Sequence, residues 1–217
     1  QLTANSYTVT RSPRSYNSQT GVPLSVWMLR SDSTLGIFEA GISQCDEMEK
    51  LQRIIRPTIG IITNISSAHQ ENFATLQQKC REKLQLFHDC DTLIYNADDN
   101  VLAECIPVSL PGTKKLPWSK HNTECQLYIE RIDKESNGTF IAYNYRGTQG
   151  SYRIPFLDEA SIDNSITCLT AALHLGITPP EIAARMQQLE PVAMRLEVKE
   201  GKNGCLLIND SYNADTA

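Results

Sequence analysis

Thr58-Ile59-Gly60-Ile61-Ile62-Thr63-Asn64 is the stretch that decides the fold. It is a β-branched run closed by a turn-forming asparagine, the pattern of a short buried strand. About Thr75 to His88 follows with helical spacing, and Thr92-Leu93-Ile94-Tyr95 is a second apolar run. Upstream, Leu35-Gly36-Ile37-Phe38-Glu39-Ala40-Gly41 reads as another buried strand. Asp46 to Ile55, with apolar residues at 48, 51, 54 and 55, reads as a helix. Strands alternating with helices predict an α/β fold, a mostly parallel sheet flanked by helices. In such sheets ligands collect outside the carboxyl ends of the strands. That rule points at Glu39 and at the segment Asn64 to His69.

Further along, the pattern changes. From about Lys114 to Phe156, the segments 126–132, 139–145 and 151–154 are separated by Asn137-Gly138 and by Gly147 to Gly150. Asn-Gly between alternating runs is a hairpin signal, so an antiparallel β subregion is expected here. Helices return at Ser161–Leu175 and Pro179–Leu189, with Pro180 in the first turn. Two strands, near Arg195–Lys199 and Cys205–Ile208, flank the turn Gly201-Lys202-Asn203-Gly204.

The 217 residues carry 20 basic and 25 acidic side chains, a formal net charge of −5. A nucleic-acid partner needs a basic face, and this balance argues against one. No run of about 18 apolar residues is present to span a bilayer, and no signal pattern opens the chain. The seven cysteines are odd in number and scattered, without a Cys-x-x-Cys pair, which fits reduced thiols in a cytoplasmic protein. Gln1 at the start and the abrupt end after Asp-Ser-Tyr-Asn-Ala-Asp suggest a piece of something longer.

Several residues could carry chemistry. Leu76, Cys80, Lys83 and Phe87 are spaced to share one helix face, which puts Lys83 in the seam facing the core. Two fates are open to such a lysine. Its stem can lie along apolar surface with the amine in water, or burial can favour the neutral amine. A neutral amine can take up carbon dioxide as a carbamate and become an oxygen ligand for a metal. His69 is either a hydrogen-bonded loop residue or a ligand. His69-Gln70-Glu71 fits half of a zinc deaminase signature, but the Pro-Cys-x-x-Cys half is absent. Glu39, closing a buried strand, needs a partner or a cation. With His69 and a carbamate it would form a hard, oxygen-rich site suited to magnesium. Arg195 could meet a phosphate or sit in a surface ion pair. Asp210, Tyr212 and Asn213 end a strand where turn chemistry alone would also place them. No phosphate-cradling Gly-x-x-x-x-Gly-Lys-Thr/Ser occurs.

Together these segments resemble a known family. Glu39-Ala40-Gly41 with Glu47-Met48 resembles the Glu-x-Gly…Gly-Glu-Met/Ile segment of the Mur ligases. Thr63-Asn64-Ile65-Ser66-Ser67-Ala68-His69 is similar to their Thr-Asn-Ile…Ala-His segment. Phe73-Ala74-Thr75-Leu76 and the run to Lys83 are similar to their Phe-Gly-Ser…Ala-Lys-Gly-Glu helix. Arg195-Leu196-Glu197 resembles Gly-Arg-x-Glu, and Asn209-Asp210-Ser211-Tyr212-Asn213-Ala214 resembles Asp-Asp-Ser-Tyr-Asn-Ala-Asn-Pro. Tyr-Asn in that last motif is similar to the branch that adds D-Ala-D-Ala to UDP-MurNAc-tripeptide. Residues 11–19 with Gly21-Val22-Pro23-Leu24 resemble its Bacteroidetes type, often fused to an alanine racemase, which would lie beyond Ala217.

The resemblance implies a P-loop NTPase-like central domain, residues 1–208, lacking its upstream phosphate loop, with 209–217 starting the C-terminal domain. It implies ATP and Mg²⁺ as cofactors. By the family's roles, Glu39 and His69 bind magnesium and Lys83 is a carbamylated lysine serving a second ion. Asn164 contacts adenine, Arg195 a phosphate and Asp210 the ribose, with Tyr212 and Asn213 near the nucleotide. Tyr16, Asn17 and Asn64 lie near the muramoyl-peptide substrate. Asp163 stands where many relatives have His, Ala74 replaces a usual glycine, and Asp215 replaces an Asn. Rival readings are a folylpolyglutamate-synthase-like or cyanophycin-like ligase, and a ligase-like scaffold without catalysis.

Overall fold

The computed structural model describes residues 1–65, 70–190 and 197–209. In chain order these form β1 (Val9–Arg11), α1 (Gly21–Trp27), β2 (Leu35–Ile37), α2 (Glu47–Ile55), β3 (Ile59–Ile62) and α3 (Leu76–Leu84). Then come β4 (Thr92–Asn96), α4 (Asn100–Ser109), β5 (Lys114–Ser119), β6 (Leu127–Glu135), β7 (Gly138–Tyr145) and β8 (Thr148–Ile154). The last elements are α5 (Glu159–His174), α6 (Pro179–Met186), β9 (Glu197–Glu200) and β10 (Leu206–Asn209). The main sheet runs β3-β4-β5-β6-β7-β8. Its first three pairings are parallel and its last two antiparallel.

The expected α/β plan is therefore present, with one correction. Lys114–Ser119 belongs to the parallel half, not to the antiparallel region. Lys114–Trp118 pairs with β4, Ile94 opposite Leu116 and Asn96 opposite Trp118. The reason lies in α4, which the spacing did not predict because Pro107 interrupts it. That helix supplies the crossover that two parallel neighbours need. Asp99 starts it, accepting from the backbone of Val101 and Leu102 at 2.9 and 3.1 Å.

A second unanticipated element is β1, which pairs in parallel with β2 to make a separate two-stranded sheet. Among the described strands, β2 and β3 each keep one edge without a partner. The helix expected over Thr75–His88 divides into α3 and a 3₁₀ turn, Gln85–Phe87. Thr75 caps α3 through the Gln78 amide at 3.0 Å. The turn between β6 and β7 needs Gly138 (φ +148), because a Cβ there would sit 2.2 Å from the Ile154 carbonyl oxygen.

Two apolar cores hold this frame. One gathers Met48, Leu51, Ile62, Cys80, Leu84, Leu93, Leu102 and Ile106 from α2, β3, α3, β4 and α4. The other joins Trp118, Leu127, Ile141 and Tyr152 of the sheet to Ile162, Ile166, Leu169, Ile182 and Met186 of α5 and α6. The first residues of the chain clasp this second core. Tyr7 donates its hydroxyl to the Leu175 carbonyl at 2.7 Å, and the Arg185 guanidinium reaches the Leu2 carbonyl. β9 and β10 form their own antiparallel pair.

Candidate functional site

Glu39 lies just past the carboxyl end of β2, where the sheet rule put it, but β2 is not the buried strand expected. As a member of a two-stranded sheet β2 is half-buried to exposed, and Glu39 is exposed. Its carboxylate is aimed by Asn17, whose Nδ2 donates to Oε1 at 2.8 Å, and its backbone amide donates to the Ser12 hydroxyl at 3.2 Å. The Asn17 carbonyl also accepts from the Gly41 amide at 2.8 Å. Oε2 takes no hydrogen bond from the described residues. Asn17 and Glu39, two sequence-derived candidates, are thus in direct contact. Tyr16 adjoins them with nearly half its surface exposed; its backbone packs so closely on Gly21 that a Cβ there would meet the Tyr16 Cα at 2.8 Å.

The loop after Glu39 is built by Glu47. Its carboxylate accepts from the backbone amides of Ser43 and Gln44 at 2.6 and 3.0 Å. Burial would raise that carboxyl's pKa, but these donors outweigh burial and hold it below its ordinary value. The same loop is tied to α3 and to the turn that precedes it. Asn72 Nδ2 donates to the Ser43 carbonyl at 2.9 Å, and the Asp46 amide donates to Glu82 Oε2 at 3.1 Å. The loop that presents Glu39 and the helix that carries Lys83 are therefore fastened side by side.

On α3 the buried face is Lys79, Cys80 and Leu84, while Leu76 and Lys83 are half-buried. Lys83 does lie toward the interior, yet the deepest cation is Lys79, which the spacing argument passed over. Only 2% of Lys79 is exposed, and its ammonium lies 5.9 Å from the centre of the Phe73 ring. Burial, and after it the charge of Lys79, lowers the Lys83 pKa, with Cys80 opposing. Both effects favour the neutral amine. No carboxylate among the described residues forms an ion pair with Lys83.

Asn64 is exposed at the carboxyl end of β3. Asn164 is exposed on the first half of α5 and belongs to the second core's side of the sheet. Its neighbour Asp163 pairs with Lys120 at 2.5 Å, where Lys120 follows β5. Burial pulls the Lys120 pKa down, but Asp163 and then Glu159 outweigh it and hold the ammonium above its ordinary value. The Lys120 amide and Ser119 hydroxyl both donate to Asp98, at 2.7 and 2.5 Å. Lys120, a fixed cation at the carboxyl edge of the sheet, was also missed by sequence, since nothing in spacing pairs residue 120 with 163. His69, Arg195, Asp210, Tyr212 and Asn213 lie outside the described residues. Among the described residues no group of three or more His, Cys, Asp or Glu side chains could hold a metal by itself. No described helix is long and apolar enough to cross a membrane.

The charged candidates among the described residues are Glu39 after β2 of the two-stranded sheet, Lys83 on α3 and Lys120 after β5 of the six-stranded sheet. The chain belongs to the Mur ligase middle-domain family, whose model matches residues 1–172. It is 26% identical over 211 residues to the UDP-N-acetylmuramoyl-tripeptide–D-alanyl-D-alanine ligase of Bacillus subtilis, covering 96% of this chain and 44% of that protein. A crystal structure of MurF from Acinetobacter baumannii superposes with a TM-score of 0.88 at 21% identity, over 99% of this chain and 47% of that one. MurF from Thermotoga maritima, solved in complex with ADP, gives 0.82 at 21% identity, over 98% and 49%. The chain thus spans about half the length of the relatives it matches.

Proposed function

We propose that this chain is the central, ATP-handling part of a cytoplasmic ligase that joins D-Ala-D-Ala to UDP-MurNAc-tripeptide in peptidoglycan precursor synthesis. The observation that carries this reading is the match of a ligase of that name along 96% of the chain. The same match favours it over a folylpolyglutamate-synthase-like or cyanophycin-like ligase. The Bacteroidetes-type resemblance adds a fused alanine racemase downstream. Residues 1–208 form the central unit and 209–217 begin the next. The open edges of β2 and β3 suit a phosphate-loop strand entering between them.

The donor chemistry fits a hard divalent cation. Glu39 offers an oriented carboxylate with one oxygen unengaged, and His69 and a carbamate on Lys83 would complete the set. Magnesium, when bound, offsets the repulsion between the substrate carboxylate and the ATP phosphates. The chain's own residues do the rest. Asn17 fixes the rotamer of Glu39, Glu47 fixes the loop behind it, and Arg195 stabilises charge on the transferring phosphate. Asn164, Asp210, Tyr212 and Asn213 hold the nucleotide, while Tyr16 and Asn64 face the muramoyl peptide. An unmodified Lys83 ammonium would repel the cation, so the carbamate is required for its role.

The test is ligation by the intact enzyme, with and without D-Ala-D-Ala, read as amide product and inorganic phosphate. Lys83→Ala lowers turnover sharply and bicarbonate does not restore it. Turnover on a folate polyglutamate acceptor, or none on the muramoyl tripeptide, overturns the assignment.

A further inference from the structure

α3 carries two lysines one turn apart, and both face inward. A buried ammonium is costly unless negative charge is near, and like charges at this spacing destabilise a helix. Long helical side chains lean toward the N-terminus, so the Lys83 amine is carried over the turn that Lys79 occupies. Two inward cations in such proximity, with Lys83 in no carboxylate ion pair among the described residues, are an expensive arrangement for stability alone.

We propose that Lys79 is a positioning residue for the modified Lys83: its ammonium, held against the Phe73 ring, is the counter-charge that keeps a carbamate on Lys83. This rests on the reading of Lys83 as the carbamylated lysine. The step is R–NH₂ + CO₂ → R–NH–COO⁻ + H⁺. The amine lone pair forms the N–C bond, one C=O π pair moves onto oxygen, and the nitrogen's proton leaves to water. It converts a neighbouring cation from an opponent of a charged Lys83 into a partner of its carbamate. Exposure decides which lysine is modified. Lys79 is 2% exposed and fixed on an aromatic face, whereas half-buried Lys83 is open to dissolved carbon dioxide.

The experiment is ¹³C NMR of the intact ligase in ¹³C-bicarbonate, with oxonium trapping and peptide mass mapping to locate the label. Wild type and Lys79→Arg carry the label on Lys83. Lys79→Met, which keeps the apolar stem, needs roughly tenfold more bicarbonate for half occupancy, the scale of one close charge pair in a partly buried site. Should Lys79→Met fail to fold by circular dichroism, Lys79→Gln carries the comparison. Equal bicarbonate dependence in the folded neutral variant and wild type overturns the role of Lys79 and leaves the Lys83 reading standing. Label on Lys79 overturns the division of roles. No label in wild type at any bicarbonate concentration overturns the Lys83 reading and this proposal with it.

Discussion

Trp118→Phe isolates the joint between the sheet and α5. Trp118 is 1% exposed, and its indole Nε1 donates to Thr167 Oγ1 at 3.0 Å. The Thr167 hydroxyl keeps its own acceptor, the Asp163 carbonyl at 3.0 Å, so the substitution removes one bond and orphans no donor. That limits the hydrogen-bond loss to about 1 kcal/mol. The space vacated by the fused ring adds about 1–1.5 kcal/mol. The sum, roughly 2–2.5 kcal/mol, corresponds to a melting temperature lower by about 4–10 °C for a domain of this size. The assay is thermal and urea unfolding of wild type, Trp118→Phe, Thr167→Val and the double variant. A coupling near 1 kcal/mol is expected. On the proposed contact of Asn164, one turn before Thr167, with adenine, loosening α5 should also lower the ADP affinity of the intact enzyme. A melting temperature shift under about 1 °C, or zero coupling, would show that the indole bond does not hold α5 in place.

Gly60→Ala should destabilise by about 1–3 kcal/mol, because its Cβ would meet Phe87 Cδ1 at 2.5 Å and Leu93 Cδ1 at 2.9 Å; urea denaturation reads this directly. Asp99→Ala, which strips the cap of α4, should cost about 1 kcal/mol, visible as a lower urea midpoint with unchanged slope. Asn17→Ala should leave stability within about 0.5 kcal/mol, since the pair is exposed. In the intact enzyme it should raise the magnesium concentration needed for half-maximal turnover. Lys83 titrates lower in the fold than its ordinary value of 10.5. Its protonation therefore penalises folding fully below the folded value, less through the window up to 10.5, and not above it. In bicarbonate-free buffer Lys83→Met should be more stable than wild type at neutral pH, and the gap should close as pH rises through that window.

The parallel half of the fold was legible because buried parallel strands carry unbroken apolar runs; 58–63 and 92–95 correspond to β3 and β4 within a residue or so. α4 was not, since Pro107 reads as a helix breaker and the apolar residues 101–103 and 105–108 run on with only Glu104 between them, which blurs the period that marks a helix face. β1 was not, since a three-residue strand with a half-buried pattern carries too few positions to show alternation. For the site, Glu39 and Lys83 stood out because a charge in an apolar pattern is conspicuous. Lys79 did not, because the spacing of Leu76, Cys80, Lys83 and Phe87 defined the inward face and position 79 falls outside that set. The Asn17–Glu39 bond spans 22 residues, and no local pattern encodes a contact between two loops.

The clasp of Tyr7 on Leu175 joins residues 168 positions apart. On the ribosome, at about 5–20 residues per second, the tyrosine emerges roughly 10–30 s before its acceptor exists. The core around β3 and β4 can close in that interval, whereas the one around α5 and α6 must wait with its opening segment unattached. A nascent chain stalled near residue 150, with α4 clear of the exit tunnel, should therefore protect the core around β3 and β4 from protease while leaving residues 1–7 open to cleavage.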